Sequence, residues 1–261
     1  MRVPPRTVGM IRFFKEHQVG SFRAAVGRVV KNCVGLETFN GHTITPVLLD
    51  RNAIVVDLGC NKGDFAAMML GRFDCSLLAI EANPAMVALA TKRLGIPVEN
   101  MAVAGSDGEI DFYLSGNPEA SSVVPSIAGG GQSSIRVPST TLEAWATCRG
   151  IASVSVLKVD IEGAELDVID SWDGRTPRPV QWTVEFHDFM DPSQRPRVLK
   201  SIEKLKGFGY EAINPTWPDH IDCLFVDKSA LHGLRGVWLR LGWRCISVFH
   251  RARGLLRLSR R

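Results

Sequence analysis

Short apolar runs alternate with amphipathic segments along the middle of the chain. Buried strands are predicted where apolar residues follow one another with little polar interruption, as in AIVVDLG (53–59), SLLAIEA (76–82) and SVSVLKVDI (153–161). Helices are predicted where apolar residues recur every three or four positions, as in DFAAMMLGRF (64–73) and PAMVALATKRLG (84–95). This alternation indicates an α/β fold in which helices cover both faces of a mostly parallel sheet.

The pattern of strands and helices continues to residue 228. Residues 115–135 interrupt it with glycine, serine and proline, and a loop of that length in a compact domain is typically a lid or another functional segment. Further elements are predicted at VENMAVA (98–104), 110–114, 139–150, PVQWTVEFH (179–187), 193–209, YEAINP (210–215) and HIDCLFVDK (220–228). The chain of 261 residues is long enough for one sizeable domain with extensions.

Charge is distributed unevenly between the ends and the middle of the chain. Residues 1–36 hold seven Lys/Arg and one acid, residues 231–261 hold eight Arg and no acid, and residues 37–230 hold 16 Lys/Arg against 26 Asp/Glu. We therefore predict three parts, namely a basic helical extension, a main domain and a basic amphipathic C-terminal helix. Two basic ends on an acidic body favour a polyanionic surface as a partner, and solvated basic helices without a partner are the alternative.

The C-terminal segment predicts an amphipathic helix. Its arginines fall away from an apolar stripe on the helical wheel, although Leu239, Trp243 and Ile246 break the separation. A basic helix with tryptophans is typical of attachment to an anionic membrane surface. The alternative is that the stripe packs back onto the domain or onto a partner subunit. The stripe comprises Leu234, Val237, Trp238, Leu241, Cys245, Val248, Phe249, Ala252 and Leu256.

Membrane insertion and export are not expected. No apolar run approaches the roughly 18 residues of a membrane span, and residues 1–20 contain no continuous apolar block. The six cysteines are scattered without a Cys-x-x-Cys pair, which argues against a zinc site or a disulfide framework and fits a reducing compartment. We expect a cytoplasmic protein, with peripheral attachment to the inner membrane face if the C-terminal helix binds lipid.

Polar side chains stand where the predicted parallel strands end. They are Asp57, Glu81, Asp160, Glu185 and His187. Charges are costly to bury unless they are paired or used, and ligands of parallel α/β sheets bind beyond the carboxyl ends of the strands. In VLKVDIEGAELDVI (156–169) an apolar strand runs directly into a cluster of acids. We expect these side chains to surround one cleft.

The turn after the first strand, VVDLGCNKGDF (55–65), indicates a nucleotide-type cofactor. Gly59 and Gly63 bracket the turn, and Glu81 ends the next strand, where an acid can accept both hydroxyls of a ribose. The glycine spacing matches neither the dinucleotide fingerprint nor a P-loop. A cofactor without phosphates, S-adenosylmethionine, therefore fits best. For Asp57, a helix-capping role is the alternative.

Motifs spread along the main domain resemble those of the FkbM family of S-adenosylmethionine-dependent methyltransferases. They are VVDLGCNKGDF, AIEANP, ENMAVAGSDGEIDFY, VPSTTLEAW, LKVDIEGAEL and VEFH, of which LKVDIEGAEL is the most specific. The resemblance covers about residues 53–227, and Cys60 and Lys62 depart slightly from the family's usual first motif. It implies a Rossmann-like class I methyltransferase fold, with a mostly parallel seven-stranded sheet and helices on both faces.

The resemblance also implies residues that bind the cofactor. Those expected around its methionine part are Asp57, Gly59, Asn61 and Gly63. Those expected at the ribose are Glu81 and, beside it, Asn83. Those expected near the adenine are Met101 and Ala102. Those expected in a lid are Ser121 and Ser122.

On the acceptor side, the resemblance places Asp160 facing the transferred methyl group and Glu162 at the mouth of the next helix. Glu185 and His187 would form the wall towards the acceptor. His187 is the first candidate for the base that removes the acceptor proton, because an unperturbed histidine has a pKa of about 6.5. Asp160 is the second candidate. A structural histidine, bonded to a neighbouring backbone group, is the alternative for His187.

A divalent cation is an alternative way to activate the acceptor. Magnesium or manganese held by Asp160, Glu185 and His187 would lower the pKa of the acceptor hydroxyl. The spacing of the three residues is not a dedicated metal motif, so no metal site is assigned. We expect Lys158 to pair with Glu185 or Asp160 and to hold the cluster together.

The sequence therefore predicts an S-adenosylmethionine-dependent methyltransferase. The resemblance implies O-methylation of a hydroxyl on a sugar, a glycolipid or a related natural product. Methylation of RNA is a weaker alternative suggested by the basic ends, since no RNA-binding module or catalytic motif for RNA is present. A non-catalytic cofactor-binding scaffold, with a tail that recruits a membrane or a partner, is a further alternative. The pattern gives no indication of the oligomeric state.

Overall fold

The structure of the protein is a computed structural model, which describes residues 33–115, 121–124, 133–214, 219–233 and 236–245. Three predicted features fall wholly or partly on other residues. The basic N-terminal extension over 1–36 lies outside the described residues except for residues 33–36. Most of the loop predicted at 115–135 and the end of the C-terminal helix, residues 246–261, also lie outside them.

Twelve strands and six helices are present in the described residues. The strands are β1 (Glu37–Phe39), β2 (His42–Ile44), β3 (Ala53–Leu58), β4 (Cys75–Glu81), β5 (Val98–Asn100), β6 (Ala102–Val103), β7 (Gly108–Leu114), β8 (Ser133–Thr140), β9 (Ser153–Val159), β10 (Arg178–Val184), β11 (Tyr210–Ile213) and β12 (Cys223–Asp227). The helices are α1 (Asp64–Arg72), α2 (Pro84–Leu94), α3 (Leu142–Cys148), α4 (Glu165–Ser171), α5 (Arg195–Gly207) and α6 (236–245). Short 3-10 turns lie at Pro46–Leu48, Pro192–Gln194 and Lys228–Ala230.

The central sheet has seven strands in the order β11-β12-β10-β9-β3-β4-β5. All neighbouring pairs from β10 to β5 are parallel, and β12 alone runs in the opposite direction between β10 and β11. The chain adds β4 and β5 on one side of β3 and then returns to add β9 on the other side. The order therefore reverses between β3 and β9, where a ligand cleft is expected. The Rossmann-like class I methyltransferase fold with a mostly parallel seven-stranded sheet is confirmed.

Successive residues of the central strands point to opposite faces, and each face is covered by helices. Val55 and Val156 pack against α1 and the β1–β2 hairpin. Their neighbours Val56 and Leu157 belong to the largest cluster, which includes buried residues of α3, α4 and α5. Trp172 and Trp182 of that second face pack edge to face, with their ring centroids 4.9 Å apart. The prediction of helices on both faces is borne out by this packing.

Two strand predictions were wrong in detail. The segment 98–104 is not one strand, because β5 joins the central sheet whereas β6 joins a separate three-stranded sheet in the order β6-β8-β7. Strand β8 occupies residues 133–140, where the sequence predicted a loop followed by a helix. The helix begins later, and Thr141 is its N-cap, accepting a hydrogen bond from the Ala144 N–H at 3.1 Å. Ile135 and Val137 alternate with polar residues as in a strand. The glycine-rich residues just before them led to the prediction of a loop instead.

Helix α6 packs on the domain through the residues that had seemed to break its pattern. Leu239 and Trp243 are 5% and 1% exposed and join a cluster with Leu224 and Val226 of β12. Leu231 belongs to the same cluster, so packing continues across the boundary predicted at residue 231. No helix among the described residues has the length and apolar character needed to cross a membrane.

Replacing Leu239 by alanine is expected to lower the free energy of unfolding by about 2–5 kcal/mol, because the change leaves a cavity between α6 and β12. Leu241 is the matched control, since it lies on the same helix and is 53% exposed. Leu241→Ala is expected to change stability by less than about 0.5 kcal/mol. Urea unfolding of both variants measures the difference. Equal free energies of unfolding for Leu239→Ala and Leu241→Ala would show that packing of α6 does not stabilise the domain.

Candidate active site

A cleft of about 620 Å³ opens at the carboxyl ends of β3, β4 and β9. Its walls combine a glycine turn, three carboxylates and a set of apolar side chains. Apolar walls with a few convergent polar groups are typical of small-molecule and cofactor sites. The lining residues used below are Gly59, Asn61, Glu81, Met86, Met101, Ala102, Phe112, Ser121, Asp160 and Glu162.

The turn after β3 requires glycine at its first position. Gly59 has φ +74°, and a Cβ atom there would lie 1.9 Å from the backbone oxygen of Asp160. No side chain fits in that gap. The backbone N–H groups of Gly59 and Cys60 both donate to the Ile80 carbonyl at 3.0 Å, which ties the turn to β4. The ends of β3, β4 and β9 are therefore in direct contact at the base of the cleft.

A buried ion cluster lies under this turn. The Lys158 Nζ is 3.0 Å from Oδ1 of Asp57 and 3.5 Å from Oδ2 of Asp160, and it donates to the Gly59 carbonyl at 2.8 Å. Burial acts to lower the pKa of Lys158, but the attraction of Asp57 and Asp160 outweighs burial and raises it. Lys158 is therefore a cation. Asp160 is one of the two partners expected for Lys158, and Asp57 is the closer one.

Glu81 is held in a fixed orientation at the end of β4. One carboxylate oxygen accepts the Asn61 N–H at 2.8 Å, and the other accepts the Asn83 N–H at 2.7 Å. Burial raises the pKa of Glu81, and these two backbone hydrogen bonds act against that rise. A carboxylate has roughly four lone-pair sites, so both oxygens keep acceptor capacity for a ligand in the cleft.

His42 contacts the site, although the sequence analysis assigned it no role. Its Nε2 lies 3.3 Å from Oδ2 of Asp160, and its side chain is 2% exposed. The β1–β2 hairpin carries it there, turning at Asn40 and Gly41 with φ 45° and 89°. An Asn-Gly pair between short alternating segments is a strong hairpin signal, and it could have revealed this element.

His187 lies between two carboxylates. Its Nε2 is 3.1 Å from Oε2 of Glu162, and its Nδ1 is 3.0 Å from Oε1 of Glu165. Burial alone would lower the pKa of His187, but the adjacent Glu162 and Glu165 carboxylates outweigh it and raise the pKa to about 11. An imidazolium at neutral pH has no free lone pair to accept a proton. This arrangement favours a positioning role over the base role expected for His187.

Glu185 follows β10 directly and is partly exposed. Burial and the repulsion from Asp160 raise the pKa of Glu185 to about 7. A general base is most effective when its pKa lies near the working pH. Asp160 is less suited to the role. Burial acts to raise its pKa, but Lys158 and His42 outweigh burial and lower it below its usual range.

The structure brings together most, but not all, of the residues expected to bind the cofactor. Those that line the cleft are Gly59, Asn61, Glu81, Met101, Ala102 and Asp160. Asp57 does not line it, because its fully buried carboxylate faces Lys158. Gly63 also lies behind the cleft, where a Cβ atom would be 3.0 Å from the Leu94 side chain. Asn83 caps α2, its Oδ1 accepting from the Ala85 N–H at 3.0 Å.

The described residues contain two groups with the composition of a metal site. They are His42, Asp160 and Glu185, and Asp160, Glu162 and His187, and within each group the ligand atoms lie within 4.8 Å of one another. The expected trio of Asp160, Glu185 and His187 is divided between them. The Lys158 ammonium lies 3.5 Å from the Asp160 carboxylate. It therefore already provides the positive charge that a metal ion would bring to this carboxylate.

A second cavity of about 570 Å³ lies on the other side of His187 and Glu165. Its walls are rich in acids, among them Asp167, Asp188 and Asp191, and they include one amide, Gln194, and one arginine, Arg197. The Oδ1 atom of Asp188 is buried and accepts no hydrogen bond from the described residues. Phe189, 46% exposed, adds an aromatic ring next to Asp188 in the chain. Such walls suit a ligand that carries several hydroxyl groups.

The proteins that are similar to this chain include a curated methyltransferase and a solved one. The chain is similar to the 2-O-methyltransferase NoeI of Sinorhizobium fredii, with 26% identity over 151 residues, which is 48% of this chain and 60% of NoeI. It spans less than two thirds of the length of that relative. It is also similar to the solved methyltransferase FkbM of Methylobacillus flagellatus, with 15% identity, coverage of 73% of this chain and 48% of that chain, and a TM-score of 0.45.

The model of the methyltransferase FkbM domain matches residues 57–212. The match runs from Asp57 at the end of β3 into β11 and so includes both cavities and the whole ion cluster. It covers more than half of the chain. The chain therefore belongs to the FkbM methyltransferase family that its motifs resemble.

Proposed function

We propose that this protein transfers a methyl group from S-adenosylmethionine to a hydroxyl of a sugar, a glycolipid or a related natural product. The observation that carries the proposal is Glu81, a buried carboxylate fixed by two backbone N–H groups at the rim of the cleft. An acid at the end of the second parallel strand is placed to accept the two hydroxyls of a ribose. Family membership supports methyl transfer as the reaction.

The residues of the cleft fit this cofactor. Met86, Met101 and Phe112 offer polarisable and aromatic surface to an adenine ring. Gly59 leaves room for close approach of the ligand to the backbone. The carboxylates of Asp160 and Glu162 supply negative charge towards a cofactor that carries an ammonium and a sulfonium. No lysine or arginine is among the described residues that line the cleft, which suits a cofactor without phosphates.

S-adenosylmethionine, when bound, supplies an already activated methyl group. The protein must then align the acceptor and remove the proton of its hydroxyl. Glu185 is our base, because its pKa of about 7 leaves a substantial carboxylate fraction at neutral pH. The His187 imidazolium holds Glu162 and Glu165 in place from behind. His187 is therefore a positioning residue in this account.

The second cavity is our candidate for the part of the acceptor remote from the reacting hydroxyl, because Glu185 is outside its described lining and lies beside Asp160 instead. The cavity's acids and the Gln194 amide can bind hydroxyl groups. Phe189 does not line the cavity, but it follows Asp188 in the chain, and its exposed ring offers a surface to the apolar face of a sugar. The similarity to a 2-O-methyltransferase supports a hydroxyl as the acceptor group. Glu162 lines the cofactor cleft and its partner His187 lines the second cavity, so the two cavities meet at this pair.

Glu81→Gln is expected to weaken binding of S-adenosylmethionine by about 1.5–3 kcal/mol, because charge-assisted hydrogen bonds to the ribose are lost. Calorimetric titration measures the affinity, and thermal unfolding checks that the variant is folded. Glu109→Gln is the matched control, since Glu109 is exposed on β7 and does not line the cleft. Equal affinities of wild type and Glu81→Gln would contradict the assignment of the cofactor site.

Activity is expected to rise with pH through about 7, because Glu185 must lose its proton before it can accept one. A panel of free and lipid-linked oligosaccharides is first screened by mass spectrometry for the addition of one methyl group. The pH profile of kcat/KM is then measured with the acceptor that reacts. Glu185→Gln is expected to lose about 10²–10⁴-fold in kcat and to lose the acidic limb of the profile.

His187→Gln separates the two candidate bases. If Glu185 is the base, this variant keeps an acidic limb, although its activity falls because Glu162 and Glu165 lose their shared partner. An acidic limb that disappears in His187→Gln and persists in Glu185→Gln would overturn our assignment. Binding of S-adenosylmethionine to Glu185→Gln is the control, since Glu185 does not line the cofactor cleft.

A further inference from the structure

The described parts of the two basic ends contact each other. Trp243 of α6 donates its indole N–H to the Val34 carbonyl at 3.0 Å. Gly242 lies so close to the same segment that a Cβ atom there would be 2.6 Å from the Val34 side chain. Leu36 joins Leu239 and Trp243 in one cluster. The described residues that border the two basic ends, 33–36 and 236–245, are therefore in contact.

Helix α6 presents a second apolar face away from the domain. Val237, Trp238 and Leu241 are 54%, 69% and 53% exposed. Leu241 follows Val237 by four residues and Trp238 by three, so these side chains lie on one side of the helix. Leu239 and Trp243 lie on the opposite side. Arg244 is exposed and follows Leu241 by three residues on the same side. We call Val237, Trp238, Leu241 and Arg244 the outer face of α6.

We propose that the outer face of α6 docks on the surface of an anionic lipid bilayer. Exposed tryptophan and aliphatic side chains on a helix flanked by arginine are the features of an interfacial membrane helix. Charge complementarity gives the choice of lipid, because residues 231–261 contain eight arginines and no acid, and residues 1–36 add seven basic residues against one acid. Basic residues near such a surface add to its attraction for anionic lipid.

The structure favours a bilayer over a nucleic acid as the occupant of this face. Nucleic acid is bound mainly by cations that contact phosphates. The outer face instead consists of three apolar side chains and one arginine. The other arginine of the described helix, Arg240, donates to the Leu231 carbonyl at 2.8 Å and so helps to hold α6 on the domain. The inward residues already anchor the helix, so it can present the outer face without leaving the domain.

Flotation with lipid vesicles tests the proposal on the full chain. The vesicles contain phosphatidylcholine alone or phosphatidylcholine mixed with phosphatidylglycerol. Wild type is expected to float with the anionic vesicles, less at high salt, and weakly with phosphatidylcholine alone. Trp238→Ala/Leu241→Ser is expected to partition at least tenfold less. The matched control is Leu89→Ser/Leu199→Ser, which removes two apolar side chains of similar exposure from α2 and α5 and is expected to bind as wild type.

Several results would overturn the proposal. They are equal flotation of wild type and Trp238→Ala/Leu241→Ser, equal binding to both kinds of vesicle, or no flotation of the wild type. Salt-sensitive binding to an RNA oligonucleotide without flotation would assign the basic ends to nucleic acid. A concentration-dependent dimer that Trp238→Ala/Leu241→Ser abolishes, again without flotation, would assign the outer face to a second copy. Circular dichroism and cofactor binding confirm that each variant is folded.

Discussion

The fold and the site both depend on one buried cation, Lys158. It is 3% exposed, and its ammonium connects the carboxylates of Asp57 and Asp160 with the carbonyl of Gly59. Removing one partner from a buried ion pair typically costs about 3–5 kcal/mol, because the other charge is left uncompensated. The ion pair of Lys158 on β9 with Asp57 on β3 therefore holds these two strands together at the point where the strand order reverses. An apolar strand can end in acids here because the Lys158 ammonium lies between Asp57 and Asp160 and attracts both carboxylates.

This arrangement divides the acids at the sheet edge into three functions. Asp57 is neutralised by Lys158 and supports the glycine turn from below. Glu81 is oriented by backbone N–H groups and keeps lone pairs for a ligand. In the part of the chain that the structure describes, no lysine or backbone N–H group holds the Glu185 carboxylate in this way, and burial and the repulsion from Asp160 raise its pKa to about 7. Residues of the same type thus differ in function because their neighbours differ, and those neighbours come from other strands.

The sequence predicted the sheet, the cleft and the polar residues that line it, because the relevant signals are local. Apolar runs ending in polar residues place Glu81, Asp160 and Glu185 at one edge. It could not predict which acid pairs with Lys158 or that His187 lies between two carboxylates, since these contacts join distant segments. His42 was missed together with the Asn-Gly hairpin that carries it. Helix α6 has apolar residues on two faces, and only the surface of β12 decides which face is buried.

The most direct measurement of the central claim is a crystal structure of the protein soaked with S-adenosylhomocysteine. Our account predicts density in the cleft between Glu81 and Asp160, with the ribose hydroxyls on the Glu81 carboxylate and the adenine against Met101 and Phe112. The same map would show whether the Lys158 ammonium still connects Asp57 and Asp160. Density for the ligand in the second cavity, or none in crystals that contain the folded protein, would contradict the account.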